Sequence, residues 1–283
     1  MIIPTKKLKS GFEMPVYGLG TWHMGESSLN EKSEIKVIEE AIEQGITHID
    51  TAEIYAGGNA EKIVGQAIKN YDRKKLFLVS KVYGNHLRYG KLINSLKQSL
   101  ERLKTEYLDL YLLHRYNPEV SLQETMSAMD YLFDNGLIKN IGISNFTTSQ
   151  TQDARKNSKH PVVANQLHFN LKIREAEKKG LLDYCQNEDM MLIAWRPLKN
   201  VDLNLPIIIN MAKKYAKTPT QIALNWIVSQ KNVVTLSKTK KLEHLKENLG
   251  ALDFVMEDKD IEKLSKDFPD QEDVSDVVPL LND

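Results

Sequence analysis

Short apolar runs alternate with longer amphipathic stretches through almost the whole of this sequence. Several of the short runs are continuously apolar, as strands covered on both faces are. The alternation predicts a parallel sheet whose faces are covered by helices. The runs predicted as strands are Val16–Leu19, Thr47–Asp50, Leu76–Lys81, Leu108–His114, Ile138–Ser144, Val162–Gln166, Met191–Trp195 and Val233–Leu236.

The stretches between the strands predict the crossover helices. Asn30 and Thr218 are predicted N-caps, and Pro219 suits the first position of a helix. Gly45 and Gly136 mark helix ends, because glycine readily adopts the left-handed conformation found there. The predicted helices are Glu31–Gln44, Ala60–Lys69, Lys91–Lys104, Leu122–Asn135, Ser149–Asn157, Arg174–Asn187 and Pro219–Ser229.

Eight strand-and-helix units predict one α/β domain, a (β/α)8 TIM barrel, over residues 1–283. Most strand ends lie about 30 residues apart, which suits one strand and one helix in each unit. An open doubly wound sheet is the main structural alternative. Residues 6–15 predict a short hairpin at the bottom of the barrel. Leu242–Leu249 and Asp258–Asp267 predict the last helices, and Phe268–Asp283 is expected to be a loop.

Charge and composition disfavour several classes of partner. The 38 basic residues balance the 38 acidic ones, which argues against nucleic acid or an anionic membrane. No run approaches the about 20 apolar residues of a membrane span, and the first residues lack the apolar core of a signal peptide. Cys185 is the single cysteine and suits a reducing compartment. We therefore expect a cytoplasmic protein.

Polar side chains end three neighbouring strands of the predicted barrel. Asp50 ends the second strand, Lys81 the third and His114 the fourth, and Tyr55 lies in the loop after Asp50. The active site of a TIM barrel lies at the carboxyl ends of its strands, so these four side chains are expected to converge. Each alone has an ordinary explanation, such as solvation or the capping of a turn. Their coincidence predicts a catalytic site.

These residue types suit proton transfer next to a cation. A free tyrosine has a pKa of about 10, too high for ready proton exchange at neutral pH. An ammonium about 4 Å away attracts a phenolate by about 4 kcal/mol at an effective dielectric of about 20. The sequence therefore predicts that Lys81 lowers the pKa of Tyr55. Asp50 would hold Lys81 charged, and His114 would hydrogen-bond the substrate oxygen.

Motifs of two common classes of dehydrogenase are missing from the sequence. Gly18 and Gly20 are followed by His23 where the dinucleotide-binding G-x-G-x-x-G motif needs its third glycine. The seven histidines show no compact ligand spacing, so no metal site is predicted. A Rossmann dehydrogenase and a zinc alcohol dehydrogenase are therefore disfavoured.

A resemblance to a known family covers nearly the whole chain. The sequence reads GLGTW at 18–22, HIDTAEIY at 48–55, LDLYLLH at 108–114, IGISNF at 141–146, NQLHFN at 165–170 and EHLKENLGAL at 243–252. Together these segments resemble the aldo-keto reductase superfamily. The resemblance implies NADP(H)-dependent interconversion of carbonyls and alcohols, with a tetrad of Asp50, Tyr55, Lys81 and His114. It also implies a small-molecule substrate and a monomer or weak homo-oligomer.

The resemblance also implies the residues that bind the nicotinamide half of the cofactor. Ser144, Asn145 and Gln166 correspond to the polar partners of the carboxamide group. Trp195 replaces the aromatic residue, more often tyrosine, that stacks on the nicotinamide ring, and it keeps the flat apolar face. The loop expected along the pyrophosphate begins with Arg196, Pro197 and Leu198.

The adenine half of the predicted cofactor site is less regular. Lys238 and Thr239 match the residues that grip the 2′-phosphate, and Glu247 and Asn248 match the adenine contacts. His244 stands where the family usually has an arginine, and histidine lacks the guanidinium fork. The basic cluster favours NADP over NAD, although a solvated helix start would look similar. Further charge is expected from Lys240 and Lys241.

The substrate end is the least constrained part of the prediction. Arg115 stands where the family often has an aromatic residue, and it suits either an anionic or polyhydroxy substrate or a surface ion pair. Trp22, His114 and Arg115 are the predicted substrate contacts. Other residues that could line the pocket are His23, Tyr83, Tyr116 and the C-terminal loop.

Two alternative functions remain open. Some relatives in the superfamily are cofactor-sensing channel subunits, so a non-catalytic subunit of the same fold is the first alternative. A barrel aldolase that uses Lys81 as a Schiff-base nucleophile is the second. The adjacent Asp50 and the cofactor-like strand ends disfavour the aldolase.

Overall fold

The computed structural model describes residues 2–239 and 241–280 and folds them around a closed barrel of eight parallel strands. The first elements are two short antiparallel strands, β1 (Thr5–Lys7) and β2 (Glu13–Pro15), which form a hairpin outside the barrel. The barrel strands follow in chain order. They are β3 (Tyr17–Gly20), β4 (His48–Asp50), β5 (Phe77–Val82), β6 (Leu110–Leu113), β7 (Ile141–Ser144), β8 (Val162–His168), β9 (Met191–Trp195) and β10 (Val233–Ser237).

Helices follow the strands and cover the outside of the barrel. They are α1 (Glu31–Glu43), α2 (Asn59–Ala67), α3 (Tyr89–Leu103), α4 (Leu122–Asp134), α5 (Thr148–Lys156), α6 (Glu175–Lys178), α7 (Leu181–Asn187), α8 (Pro206–Tyr215), α9 (Pro219–Ser229), α10 (Leu242–Leu249) and α11 (Asp258–Asp267). Each barrel strand from β3 to β9 pairs with the next in the chain, and β10 closes the ring on β3. The predicted TIM barrel and its hairpin are confirmed. Within the described ranges, we find no helix with the length and apolarity that crossing a bilayer requires.

Side chains along each barrel strand alternate between the interior and the helix layer. In β5, Val79 belongs to the interior apolar cluster, whereas Leu78 and Val82 pack in the outer core beneath the helices. The same alternation turns Lys81 inward, two residues after Val79. The polar residues that end the strands therefore point towards the barrel axis.

The hairpin closes the bottom of the barrel. Leu8, Phe12 and Met14 pack in the same apolar cluster as the interior residues of the strands. The rings of Phe12 and Phe77, the first residue of β5, meet edge to face with centroids 6.1 Å apart. The hairpin thereby covers the barrel interior at the amino ends of the strands.

Several predicted boundaries agree with the structure. Thr218 caps α9 in a capping box with Gln221, with Pro219 at the start of the helix. Gly45 and Gly136 follow helix ends with φ of 98° and 70°, a conformation that glycine adopts at little cost.

Two predictions about the helices were wrong, and one helix was missed. The predicted helix Arg174–Asn187 is divided into α6 and α7, because Gly180 adopts a φ of 68° between them. Asn30 makes no side-chain cap, since the short 3-10 turn before α1 already places its backbone in a helical conformation. Helix α8 was not predicted, and the consecutive isoleucines of its first turn have weak helix propensity.

A buried ion pair ties α2 and α3 to the strand that carries Lys81. The carboxylate of Glu61 accepts a hydrogen bond from Ser80 of β5 at 2.5 Å and one from the Arg102 guanidinium of α3 at 2.6 Å. Glu61 is fully buried, so both of its oxygens are satisfied within the protein. This contact fixes the outer face of β5, the face opposite to the Lys81 side chain.

Gly65 allows α2 and α3 to approach closely, and its replacement should be destabilising. A Cβ at this position would overlap the Arg102 carbonyl and lie 2.8 Å from the Leu103 carbonyl carbon. We expect Gly65→Ala to lower the free energy of unfolding by about 1–3 kcal/mol, although alanine favours helices. Urea denaturation measures this. In Gly90→Ala the new Cβ would have no neighbour within 4 Å in the described structure, so that variant should be at least as stable as the wild type.

Candidate active site

A buried ion pair lies at the carboxyl ends of β4 and β5. The Lys81 ammonium donates to Asp50 Oδ1 at 2.5 Å and to the Thr51 carbonyl at 2.8 Å. The Gln166 amide, from β8 across the barrel, donates to Asp50 Oδ2 at 2.9 Å. Although burial disfavours a charge on Lys81, the Asp50 carboxylate raises the pKa of that ammonium above its usual value. Lys81 is therefore held as a cation inside the barrel.

Tyr55 is presented to this pair by a tight turn. The 3-10 turn Tyr55–Gly58 contains three successive residues with positive φ, two of which are Gly57 and Gly58. The ammonium of Lys81 lies 5.2 Å from the centre of the Tyr55 ring. The Tyr55 ring meets the His114 ring edge to face, with centroids 5.7 Å apart. The four predicted catalytic side chains thus lie together.

Burial outweighs the predicted lowering of the Tyr55 pKa by Lys81, although that effect of Lys81 is present. Desolvation by burial raises the pKa of Tyr55 above its ordinary value, and the charge and hydrogen bonding of Lys81 only partly offset that effect. Tyr55 therefore holds its proton at neutral pH. A protonated phenol next to a cation can donate a proton to an oxygen that gains negative charge.

His114 is a neutral imidazole at the same site. Burial is the main reason that the pKa of His114 lies well below its ordinary value, and the charges of Lys81 and Arg115 lower it further. Its Nδ1 has no hydrogen-bond partner among the described residues. The ring also meets Tyr83, with centroids 6.0 Å apart. A neutral histidine can orient a carbonyl oxygen without adding a second charge.

A cavity of about 740 Å³ opens above these groups and extends towards α10. Lys81 is not among the residues that line this cavity. All the other predicted site residues line it, namely Trp22, Asp50, Tyr55, His114, Arg115, Ser144, Asn145, Gln166, Trp195, Arg196, Pro197, Leu198, Lys238, Thr239, His244, Glu247 and Asn248.

Three polar residues form a connected group beside the catalytic side chains. Asn145 Nδ2 donates to Ser144 Oγ at 2.9 Å and to the His114 carbonyl at 3.2 Å. Ser144 Oγ donates to the Gln166 carbonyl at 2.9 Å. Asn145 has a φ of 60°, a conformation that asparagine tolerates better than most residues. The group leaves amide atoms at the wall, where a planar amide ligand could pair with them.

Trp195 and Arg196 form another part of the cavity wall. One face of Trp195 stacks on His168, with centroids 4.5 Å apart and planes 17° apart. The Arg196 guanidinium lies 4.5 Å above the ring of Trp22 and 5.5 Å from that of Trp195. His168 was missed by the sequence analysis, although it stands two residues after Gln166 and therefore faces the same side of β8.

The far end of the cavity carries the predicted adenine contacts. Asn248 Nδ2 donates to the Tyr17 hydroxyl at 2.9 Å and to Ser237 Oγ at 3.0 Å, which fixes its side chain at the wall. Thr239 Oγ1 donates to the Lys241 carbonyl at 3.0 Å. Lys238 and His244 are exposed, as groups that meet a phosphate need to be. The predicted contribution of Lys240 falls outside the described residues.

The C-terminal loop contributes to the cavity wall, as the sequence suggested. Val277 and Val278 line the cavity. The loop is anchored by Glu175, whose carboxylate accepts from the amides of Ser275 and Leu280 at 2.9 Å each. No local sequence motif marks this long-range contact. Lining residues that the sequence analysis did not single out include Thr21, Ile54, Lys199, Thr220, Leu236 and Ser237.

Two aromatic residues suggested for the pocket lie elsewhere. Tyr83 packs against His114, and Tyr116 meets Phe146 edge to face with centroids 5.7 Å apart. Neither is among the residues that line the cavity.

Comparisons with known proteins agree with this geometry. The model of the aldo/keto reductase family matches residues 17–266. Methylglyoxal reductase YeaE of Escherichia coli is 35% identical over 263 residues, which cover 90% of this chain and 92% of that protein. Glyoxal reductase of Bacillus subtilis is 34% identical over 263 residues, with 92% and 91% covered.

A solved structure gives the same result. The aldo/keto reductase of Klebsiella pneumoniae, in complex with NADP and acetate, has a TM-score of 0.87 and 33% identity, covering 99% of this chain and all of that one. Sequence, fold and site geometry thus agree, and the chain belongs to the aldo/keto reductase family.

Proposed function

We propose that this protein is an NADP(H)-dependent reductase of aldehydes and ketones in which Tyr55 donates the proton. The observation that carries the proposal is the buried Asp50–Lys81 pair held against Tyr55, at a cavity of about 740 Å³. Relatives named methylglyoxal reductase and glyoxal reductase support small reactive aldehydes as substrates.

The donors that line the cavity fit NADP(H). Ser144, Asn145 and Gln166 present amide and hydroxyl groups that can pair with a carboxamide, and Trp195 offers a flat face. At the far end, the exposed Lys238 supplies the positive charge that a 2′-phosphate requires. The Klebsiella relative in complex with NADP supports the same assignment. These residues would hold the dinucleotide between the tetrad and α10.

The tetrad donates the proton and orients the carbonyl group. When bound, the reduced nicotinamide supplies the hydride that the carbonyl carbon accepts. Tyr55 gives its proton to the carbonyl oxygen as negative charge develops there, so that an alcohol forms. His114 orients the oxygen through a hydrogen bond. Alcohol oxidation uses the same groups in reverse, with Tyr55 accepting the proton.

Lys81 and Asp50 act on the phenol rather than on the substrate. As Tyr55 loses its proton, the Lys81 ammonium stabilises the phenolate, which is costly in a buried site without a cation. Asp50 keeps Lys81 charged and in place, and Gln166 keeps Asp50 in place. The pair is thus organised before the substrate arrives, which is the condition for electrostatic catalysis.

The pH profiles of the two reaction directions should differ. Because the pKa of Tyr55 is raised, the phenol stays protonated through neutral pH and loses its proton only above its ordinary value of 10.0. We expect kcat for reduction to be level between about pH 7 and about pH 9. Over the same range kcat for alcohol oxidation should rise about tenfold per pH unit, because the phenolate fraction does. A reduction rate that falls with a midpoint below about pH 8 would contradict the assignment.

The proposed activity can be tested by the absorbance of NADPH. We expect NADPH to be consumed when methylglyoxal or another small aldehyde is added, with a lower kcat/KM when NADH replaces it. Lys238→Ala should lower the preference for NADPH and leave kcat unchanged. Tight binding of NADPH with no consumption across a panel of aldehydes and ketones would instead favour a cofactor-sensing subunit.

A further inference from the structure

Arg115 is a cation at the cavity wall, and no described residue pairs with its side chain. It follows His114 directly after β6, it is exposed, and it lines the cavity. No carboxylate lies within ion-pair distance of its guanidinium in the described part of the chain, so the surface ion pair considered from the sequence is not formed. Its side chain is therefore available to a ligand.

The loop that carries Arg115 is held in place. Asn117 donates from its side chain to the Gly84 carbonyl at 2.8 Å, and the Asn117 carbonyl accepts from the Val120 amide at 3.2 Å. The His114 amide is bonded to the Val82 carbonyl at 2.9 Å. Arg115 thus extends from a loop that is fixed at both ends.

The described lining of the cavity carries more positive than negative side chains. Arg115, Arg196 and Lys199 are among its cations, and the carboxylate of Asp50 is already paired with Lys81. Glu247 belongs to α10 at the opposite end of the cavity. The charge of Arg115 lowers the pKa of His114, so this guanidinium acts electrostatically on a side chain of the tetrad.

The cofactor accounts for only part of this positive charge. Arg196 belongs to the loop assigned to the pyrophosphate, and Lys238 to the end assigned to the 2′-phosphate. Arg115 comes from the opposite side of the site, after β6, next to His114. A cation placed beside the group that orients the carbonyl oxygen, and away from both phosphate positions, is suited to the substrate.

We propose that the preferred substrate carries an anionic group, a carboxylate or a phosphate, and that Arg115 binds this group while His114 and Tyr55 hold the carbonyl. The inference rests on the proposed carbonyl reductase activity and specifies its substrate class. A guanidinium binds either anion through two parallel hydrogen bonds, which gives orientation as well as affinity.

Two matched pairs of aldehydes test the proposal and distinguish the anions. 4-Oxobutanoate is compared with its neutral amide, and glyceraldehyde 3-phosphate with glyceraldehyde. We expect the wild type to prefer the charged member of at least one pair by about tenfold in kcat/KM, the effect of one charged hydrogen bond at an exposed site. The pair with the larger preference identifies the anion.

Replacement of Arg115 should remove that preference selectively. Arg115→Gln is expected to lower kcat/KM about tenfold for the charged aldehyde and less than about twofold for the neutral one. The Kd of NADPH should be unchanged. Arg88→Gln is the matched control, because Arg88 is exposed and pairs with Glu124 at 3.5 Å, away from the cavity. The Arg88→Gln variant should retain the wild-type preference for the charged aldehyde. In both proteins this preference should weaken when salt is added.

The possible failures are distinguishable. Equal use of charged and neutral aldehydes by the wild type overturns the inference and leaves the carbonyl reductase assignment intact. The same loss for both aldehydes in Arg115→Gln, or for the charged aldehyde in Arg88→Gln, also overturns it. No reduction of any of the four aldehydes would overturn the proposed function, and the inference with it.

Discussion

Replacing Tyr55 with phenylalanine should lower kcat for carbonyl reduction by about a thousandfold, the effect of losing a positioned general acid. The variant keeps the ring that packs against His114 and Lys81 and removes only the hydroxyl. Steady-state kinetics with NADPH and a small aldehyde measure the loss. The Kd of NADPH, from fluorescence titration, should change little, because the predicted cofactor contacts come from other strands.

Tyr83→Phe provides the matched control for this experiment. Tyr83 also packs edge to face against His114, with centroids 6.0 Å apart, but it does not line the cavity. We expect near-normal kcat in this variant. Comparable losses in the two variants would mean that packing around His114, and not the Tyr55 proton, controls the rate.

Breaking the Asp50–Lys81 pair should be the most destabilising change at the site. Lys81→Met preserves much of the side-chain volume but leaves the Asp50 carboxylate buried with only Gln166 as partner. Removing one member of a buried ion pair costs about 3–5 kcal/mol, since the other charge loses its partner. We therefore expect the free energy of unfolding, from urea denaturation, to fall by about that amount.

A double variant separates stability from catalysis. Asp50→Asn with Lys81→Met removes both charges, and the new amide can still accept the hydrogen bond from Gln166. Most of the lost stability should return, but activity should not, because no cation then faces the Tyr55 phenol. Recovery of activity together with stability would show that the ammonium has only a structural role.

Much of the site could be predicted because strand ends are readable in this sequence. An apolar run precedes each of Asp50, Lys81 and His114. Because side chains alternate between the two faces of a strand, each of these residues points towards the barrel axis. Thr218 and Gly136 mark helix boundaries through local backbone chemistry. These signals depend on a few neighbouring residues, so they can be recognised from the sequence alone.

The remaining features depend on contacts between distant segments. The pKa of Tyr55 is raised by burial, which no local pattern reveals, and the sequence offered only the opposing charge of Lys81. Glu175 anchors the C-terminal loop through residues about a hundred positions away. Only the fold reveals that Arg115 faces the cavity without an ion-pair partner among the described residues.

The transfer of deuterium from the cofactor to the product tests the central claim most directly. The protein is mixed with methylglyoxal and NADPH that is deuterated at both C4 positions, and the alcohol is analysed by mass spectrometry. The account predicts one deuterium on the new carbinol carbon of each product molecule, formed by the wild type and Tyr83→Phe and nearly absent with Tyr55→Phe. Alcohol without deuterium, or equal labelled product from Tyr55→Phe, would contradict it.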